Sequence, residues 1–107
     1  MASTTISRGN ILEQFILQPT LTPTTVAATA AAEQTFTVIG LMLGDLVNVT
    51  SNVAPTASSG IVNSRVSAAN TLAIQFGVTG TVEVLPAPGV YNVQVTRVEG
   101  TAPTADA

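Results

Sequence analysis

The chain has no cysteine, histidine, lysine or tryptophan among its 107 residues. Each absence removes a class of function. Without cysteine there is neither a disulfide framework nor a thiolate metal site. Without histidine there is no histidine-based triad, no imidazole metal site and no switch near neutral pH. Serine and threonine abound, but with histidine and lysine both missing no base is at hand to activate them as nucleophiles. Positive charge is confined to Arg8, Arg65 and Arg97. It stands against Glu13, Glu33, Asp45, Glu83, Glu99 and Asp106, for a net charge of −3. Three scattered arginines cannot neutralise a phosphate backbone or hold an anionic membrane, so neither nucleic acid nor a membrane is an expected partner.

What remains is mostly threonine, alanine and valine, at 17, 15 and 14 residues. With 46 % apolar residues the chain can form a core, and its low net charge sets it apart from disordered sequences. The core is small at this length. Charged residues make up only 8 % of the chain, against about 25 % in an ordinary soluble domain. A surface so poor in charge is weakly protected against association, which implies that part of it is covered in an assembly. Residues 1–10 are polar, and the apolar run at 11–17 is interrupted by Glu13 and Gln14. That run is too short for a signal segment or a membrane span, so synthesis in a cytoplasm is expected.

From Gln34 onward apolar and polar residues alternate. Phe36 and Val38 alternate with threonines, Val47 and Val49 with Asn48 and Thr50, and Val62 and Val66 with Asn63 and Arg65. Leu72, Ile74 and Phe76 follow the same rule, as do Tyr91, Val93 and Val95, and Val82 and Val84 flank Glu83. A period of two with one polar face belongs to antiparallel sheets, and β-branched residues suit their pleated surface. Turn signals fall between these runs. Ala68, Ala69 and Asn70 form a tight hairpin in which asparagine accepts the left-handed conformation, and Pro86, Ala87, Pro88 and Gly89 form another turn. The expected fold is all-β: a small antiparallel β-sandwich or Greek-key barrel of about six strands with an extended N-terminal arm. Residues 1–32 are assigned to the arm, 33–99 to the β-sandwich domain and 100–107 to a flexible C-terminal tail.

Seven residues stand out. Ile11, Leu12, Phe15, Ile16 and Leu17 form an apolar patch on the arm, expected to anchor it on something else. The patch fits a helical face or a strand face equally well. Asp45 follows Gly44 at a strand start, where turn chemistry is its ordinary use. Arg65 is expected on the polar strand face, or paired across strands with a carboxylate such as Asp45, as a structural ion pair or interface contact. Arg97 reads as a solvated residue near a strand end. No catalytic residue, cofactor, metal or small-molecule substrate is expected.

Three stretches carry a resemblance. The first is Ala32, Glu33, Gln34, Thr35, Phe36, Thr37 and Val38 with Gly40, Leu41, Gly44, Asp45 and Val47. The second is Gly60, Ile61, Val62 and Asn63 with Arg65, Val66, Ser67, Ala68, Ala69, Asn70, Thr71, Leu72, Ile74 and Phe76. The third is Pro88, Gly89, Tyr91 and Val93. In this order they resemble small virion proteins of tailed bacteriophages, of the capsid decoration (cement) type. The resemblance covers about 60 % of the chain, and its most specific part is the run from Arg65 to Leu72. It implies a non-enzymatic structural protein on the outside of a capsid, binding the major capsid protein as a homotrimer and stabilising the shell. Another virion component (tail, fibre or baseplate) and a carbohydrate- or ligand-binding β module are the alternatives.

Overall fold

The computed structural model describes residues 10–100, and these form seven β-strands and no helix. They are β1 (Ile11–Leu17), β2 (Thr20–Leu21), β3 (Ala31–Thr37), β4 (Leu46–Ser51), β5 (Ser59–Ala68), β6 (Thr71–Val78) and β7 (Gly89–Val98). All pairings are antiparallel, in two sheets that enclose one core as a small β-sandwich.

Each sheet is organised around one central strand. In the first sheet β7 is bordered by β4 on one edge and by β1 and β2 on the other. β1 and β2 run end to end along that edge, interrupted at Gln18 and Pro19. The Pro19 carbonyl still accepts the Tyr91 amide at 2.9 Å. In the second sheet β6 lies between β3 and β5. The alternation read from the sequence accounts for the core: Leu72, Ile74, Phe76 and Val78 of β6 face Tyr91, Val93 and Val95 of β7. Phe76 and Tyr91 meet edge to face with ring centroids 6.4 Å apart.

The expected hairpin is present, with Asn70 at a φ of 56° between β5 and β6. Two expectations are corrected. Residues 10–32 do not form a separate arm, because β1 and β2 belong to the sandwich through β7. The run around Val82 and Val84 is no strand; Val84 makes a single bridge to Val26, with amide-to-carbonyl distances of 2.8 and 3.0 Å. That bridge lies outside both sheets, so the run adds a strand to neither. The remainder of the expected arm, residues 1–9, and the expected tail beyond Gly100 lie outside the described residues.

Candidate functional site

One end of the sandwich gathers the start of β1, the end of β7 and the loop between β3 and β4, residues 38–45. This loop buries some side chains and displays others. Val38, Leu41 and Asp45 point inward, while Ile39, Met42 and Leu43 are exposed, Ile39 and Leu43 at 73 % and 71 %. Leu46 continues the exposed set at the start of β4. Gly40 and Gly44, with φ of 110° and 98°, supply backbone conformations that side chains would strain.

Polar groups fix this loop from beneath. The Asn70 amide donates to the Leu41 carbonyl (2.8 Å), its carbonyl accepts from Val38 (2.9 Å), and its side-chain oxygen accepts from the Gly40 amide (3.0 Å). Asp45 Oδ2 accepts from the Met42 amide at 2.9 Å, and the Asp45 amide donates to the Met42 carbonyl at 3.0 Å. Arg97 completes the frame. Its Nη2 donates to the Gly40 carbonyl at 2.9 Å, and its Nε and Nη2 grip Asp45 Oδ1 and Oδ2 at 2.9 and 2.8 Å. Nη1 reaches Glu13 at 3.3 Å, and the guanidinium lies 5.2 Å from the centre of the Phe15 ring.

Arg97 is thus no solvated edge residue. It sits on the core-facing side of the central strand, following Val95, with its side chain 17 % exposed and that of Asp45 only 3 %. The guanidinium holds the Asp45 carboxyl below the usual carboxylate range; burial opposes this and the Met42 amide assists it. Asp45 in turn raises the Arg97 pKa.

Arg65 does not pair with Asp45. Its Nε and Nη2 donate to Glu33 Oε2 and Oε1, both at 2.8 Å. Arg65 stands opposite Ala73, and Glu33 opposite Gln75, so the pair crosses the outside of β6. It roofs Ala73, which is fully buried although it lies on the outer face. The arm-anchor residues divide: Phe15 and Leu17 are half-buried and pack against the core, while Ile11, Leu12 and Ile16 remain exposed. Leu12, Met42 and Leu43 line one groove, with Asp45 and Arg97 among its walls.

No protein-family model matches the chain, and no curated protein or solved structure is significantly similar to it. The site is therefore read from its chemistry. Among the described residues no group of three or more acidic, histidine or cysteine side chains is placed to hold a metal ion. No helix among them is long and apolar enough to cross a membrane. A second depression, at the opposite end, is lined by Val53, Phe76, Pro86 and Tyr91 among others. Its polar groups are already engaged: the Tyr91 hydroxyl donates to the Ala87 carbonyl at 2.6 Å, and Ser51 Oγ bonds to both main-chain groups of Val53. Burial raises the Tyr91 pKa. The arrangement that stands out is a fixed loop showing large apolar side chains to solvent. Its signal was present in the sequence, as Leu41, Met42 and Leu43 bounded by two glycines.

Proposed function

We propose that this chain is a non-enzymatic structural protein of a tailed-bacteriophage virion. In this reading it decorates the outer surface of the capsid and stabilises it by bridging subunits of the major capsid protein. The loop at 38–45 is the observation that carries the proposal. Ile39, Met42 and Leu43 project from a backbone already held by Asn70, Asp45 and Arg97. A loop fixed before docking loses little conformational freedom on binding, so its apolar contacts translate more fully into affinity. Exposed apolar side chains gathered in this way, with Leu12, Met42 and Leu43 lining one groove, mark an interaction surface. The Asp45 and Arg97 charges beside it are mutually neutralised, so a protein partner can cover them without stranding a lone charge. The sequence resemblance supplies the class of partner, and the scarcity of charge suits a chain whose surface is covered in an assembly.

The test is binding of the purified chain to capsids assembled from the major capsid protein encoded in the same genome. Electron microscopy is expected to show added density on the capsid exterior at a fixed stoichiometry. The double variant Met42→Asp, Leu43→Asp changes only exposed side chains and should weaken binding by roughly tenfold or more, the effect of removing an interface hot spot. Density confined to a tail, no density at all, or binding unaffected by the double variant would overturn the reading.

A further inference from the structure

The outer edge of β1 has no strand beside it among the described residues, since β1 pairs with β7 alone. The direction of its main-chain groups follows from β7. The Tyr91 and Glu99 amides donate to Pro19 and Asn10, on the β1 side, whereas the Val90 carbonyl accepts from Asn52, on the β4 side. Alternation then turns Val93, Val95 and Arg97 toward β1, together with their opposite residues Leu17, Phe15 and Glu13. Gln14, Ile16 and Gln18 accordingly point their amides and carbonyls away from β7, toward the open edge.

That edge lacks the usual protections. It has no lysine, no proline before Pro19, and its bulge lies at the far end, between Ile11 and Glu13. Its sequence is also self-complementary. Read in either direction from Ile16, residues 14–18 run amide, apolar, apolar, apolar, amide. We propose that β1 pairs antiparallel with β1 of a second copy of this chain, about a two-fold axis at Ile16, joining the two first sheets into one. Ile16 then faces Ile16 of the second copy, Phe15 faces Leu17, and Gln14 faces Gln18. Residues 14, 16 and 18 are the ones whose main-chain groups are free to form this ladder. Ile16, 63 % exposed in the single chain, is covered, and the half-buried Phe15 and Leu17 gain a neighbour on their open side. No like charges meet, because Glu13 lies outside the paired segment and is held by Arg97. A self-complementary patch repeated on both copies is what a two-fold contact requires.

Light scattering on the eluting protein reads the outcome directly. A mass twice the 10.8 kDa of the chain is expected at high micromolar concentration. Ile16→Lys places a charge on the edge, and Ile16→Pro removes an amide that the fold does not use. Both should halve the mass while leaving the circular dichroism spectrum unchanged. The chain has no cysteine, so Ile16→Cys gives a second measurement that does not depend on affinity. Directly opposed residues in a hydrogen-bonded antiparallel pair have Cα atoms about 5.5 Å apart, within disulfide reach. Mild oxidation should therefore crosslink Ile16→Cys fully and leave the control Asn48→Cys, on β4, uncrosslinked. A monomer at every concentration, a trimer insensitive to both Ile16 variants, or a dimer lost on deleting residues 2–9 but not on changing Ile16 would each overturn the proposal. It takes the place of the homotrimer that the resemblance implies and is otherwise independent of the capsid reading: Met42→Asp, Leu43→Asp should leave the dimer intact, and a dimer that ignores capsids would sink only the capsid reading.

Discussion

Arg97 and Arg65 each grip one carboxylate through two nitrogens at 2.8 to 2.9 Å, yet the two pairs do different work. Arg65 and Glu33 span the outside of the second sheet, where water screens them, and their main structural effect is to cover Ala73. Arg97 and Asp45 lie at the end of the core, sheltered from water, and the same two side chains also hold Gly40 and Met42. Near-identical bidentate geometry therefore says little about what an ion pair contributes. Burial, and the main-chain groups tied to the pair, decide it.

Removing one partner of each pair should separate them most clearly. Asp45→Ala leaves Arg97, as counter-charge, only its longer contact with the half-exposed Glu13 and takes the side-chain acceptor from the Met42 amide. A clearly larger loss of stability than that from Glu33→Ala is expected in urea denaturation. Faster amide exchange at Gly40 and Met42 should accompany it. If Asp45→Ala and Glu33→Ala destabilise equally, the contrast between the pairs is wrong.

Acid titration should show the same order with a smaller effect. Both carboxyls titrate below their ordinary values of 3.8 and 4.5, Asp45 because of Arg97 and Glu33 because of Arg65. In acid the unfolded chain then binds protons more readily than the folded one. Each pair's stabilisation is complete above the ordinary value and is lost as pH falls through the lowered folded value. Thermal melts should be flat between about pH 6 and pH 8, where the missing histidine would titrate. They should fall in acid, and Asp45→Asn should flatten that fall more than Glu33→Gln. Salt should give the smallest effect. Double-mutant cycles at low and high ionic strength should show coupling between Arg65 and Glu33 fading with salt while that between Arg97 and Asp45 persists.

The fold was legible where one face of a strand meets the core and the other meets water. The runs around Phe36, Val49, Val66, Ile74 and Val93 all announce themselves by alternation, and Asn70 marks its hairpin through its own backbone preference. β1 hid because its pattern is doubly broken: a bulge displaces Leu12, and Ile16 is apolar on the exposed face. The partners of the arginines hid for another reason. Asp45 and Arg97 are 52 residues apart, and Glu33 and Arg65 are 32 apart. Composition allows any arginine to meet any carboxylate. Only the strand order, with β3 and β5 flanking β6, brings Glu33 within reach of Arg65. The apolar residues of the displaying loop gain meaning only once Leu41 is seen to be buried and Met42 and Leu43 are not.

The place of β7 has a consequence for how the molecule comes into being. It is the last of the seven strands, yet β1, β2 and β4 make their sheet pairings with it alone. As a chain lengthens from its N-terminal end, β3, β5 and β6 can close the second sheet while β1 and β4 still wait for their template. Through that interval β1 is open along two edges rather than one, the condition under which strands pair with the wrong chain. The first sheet then assembles in a single late step across long sequence separations, and such closures are slow. A helper that shields residues 11–17 until β7 is available would raise the yield of correctly folded protein.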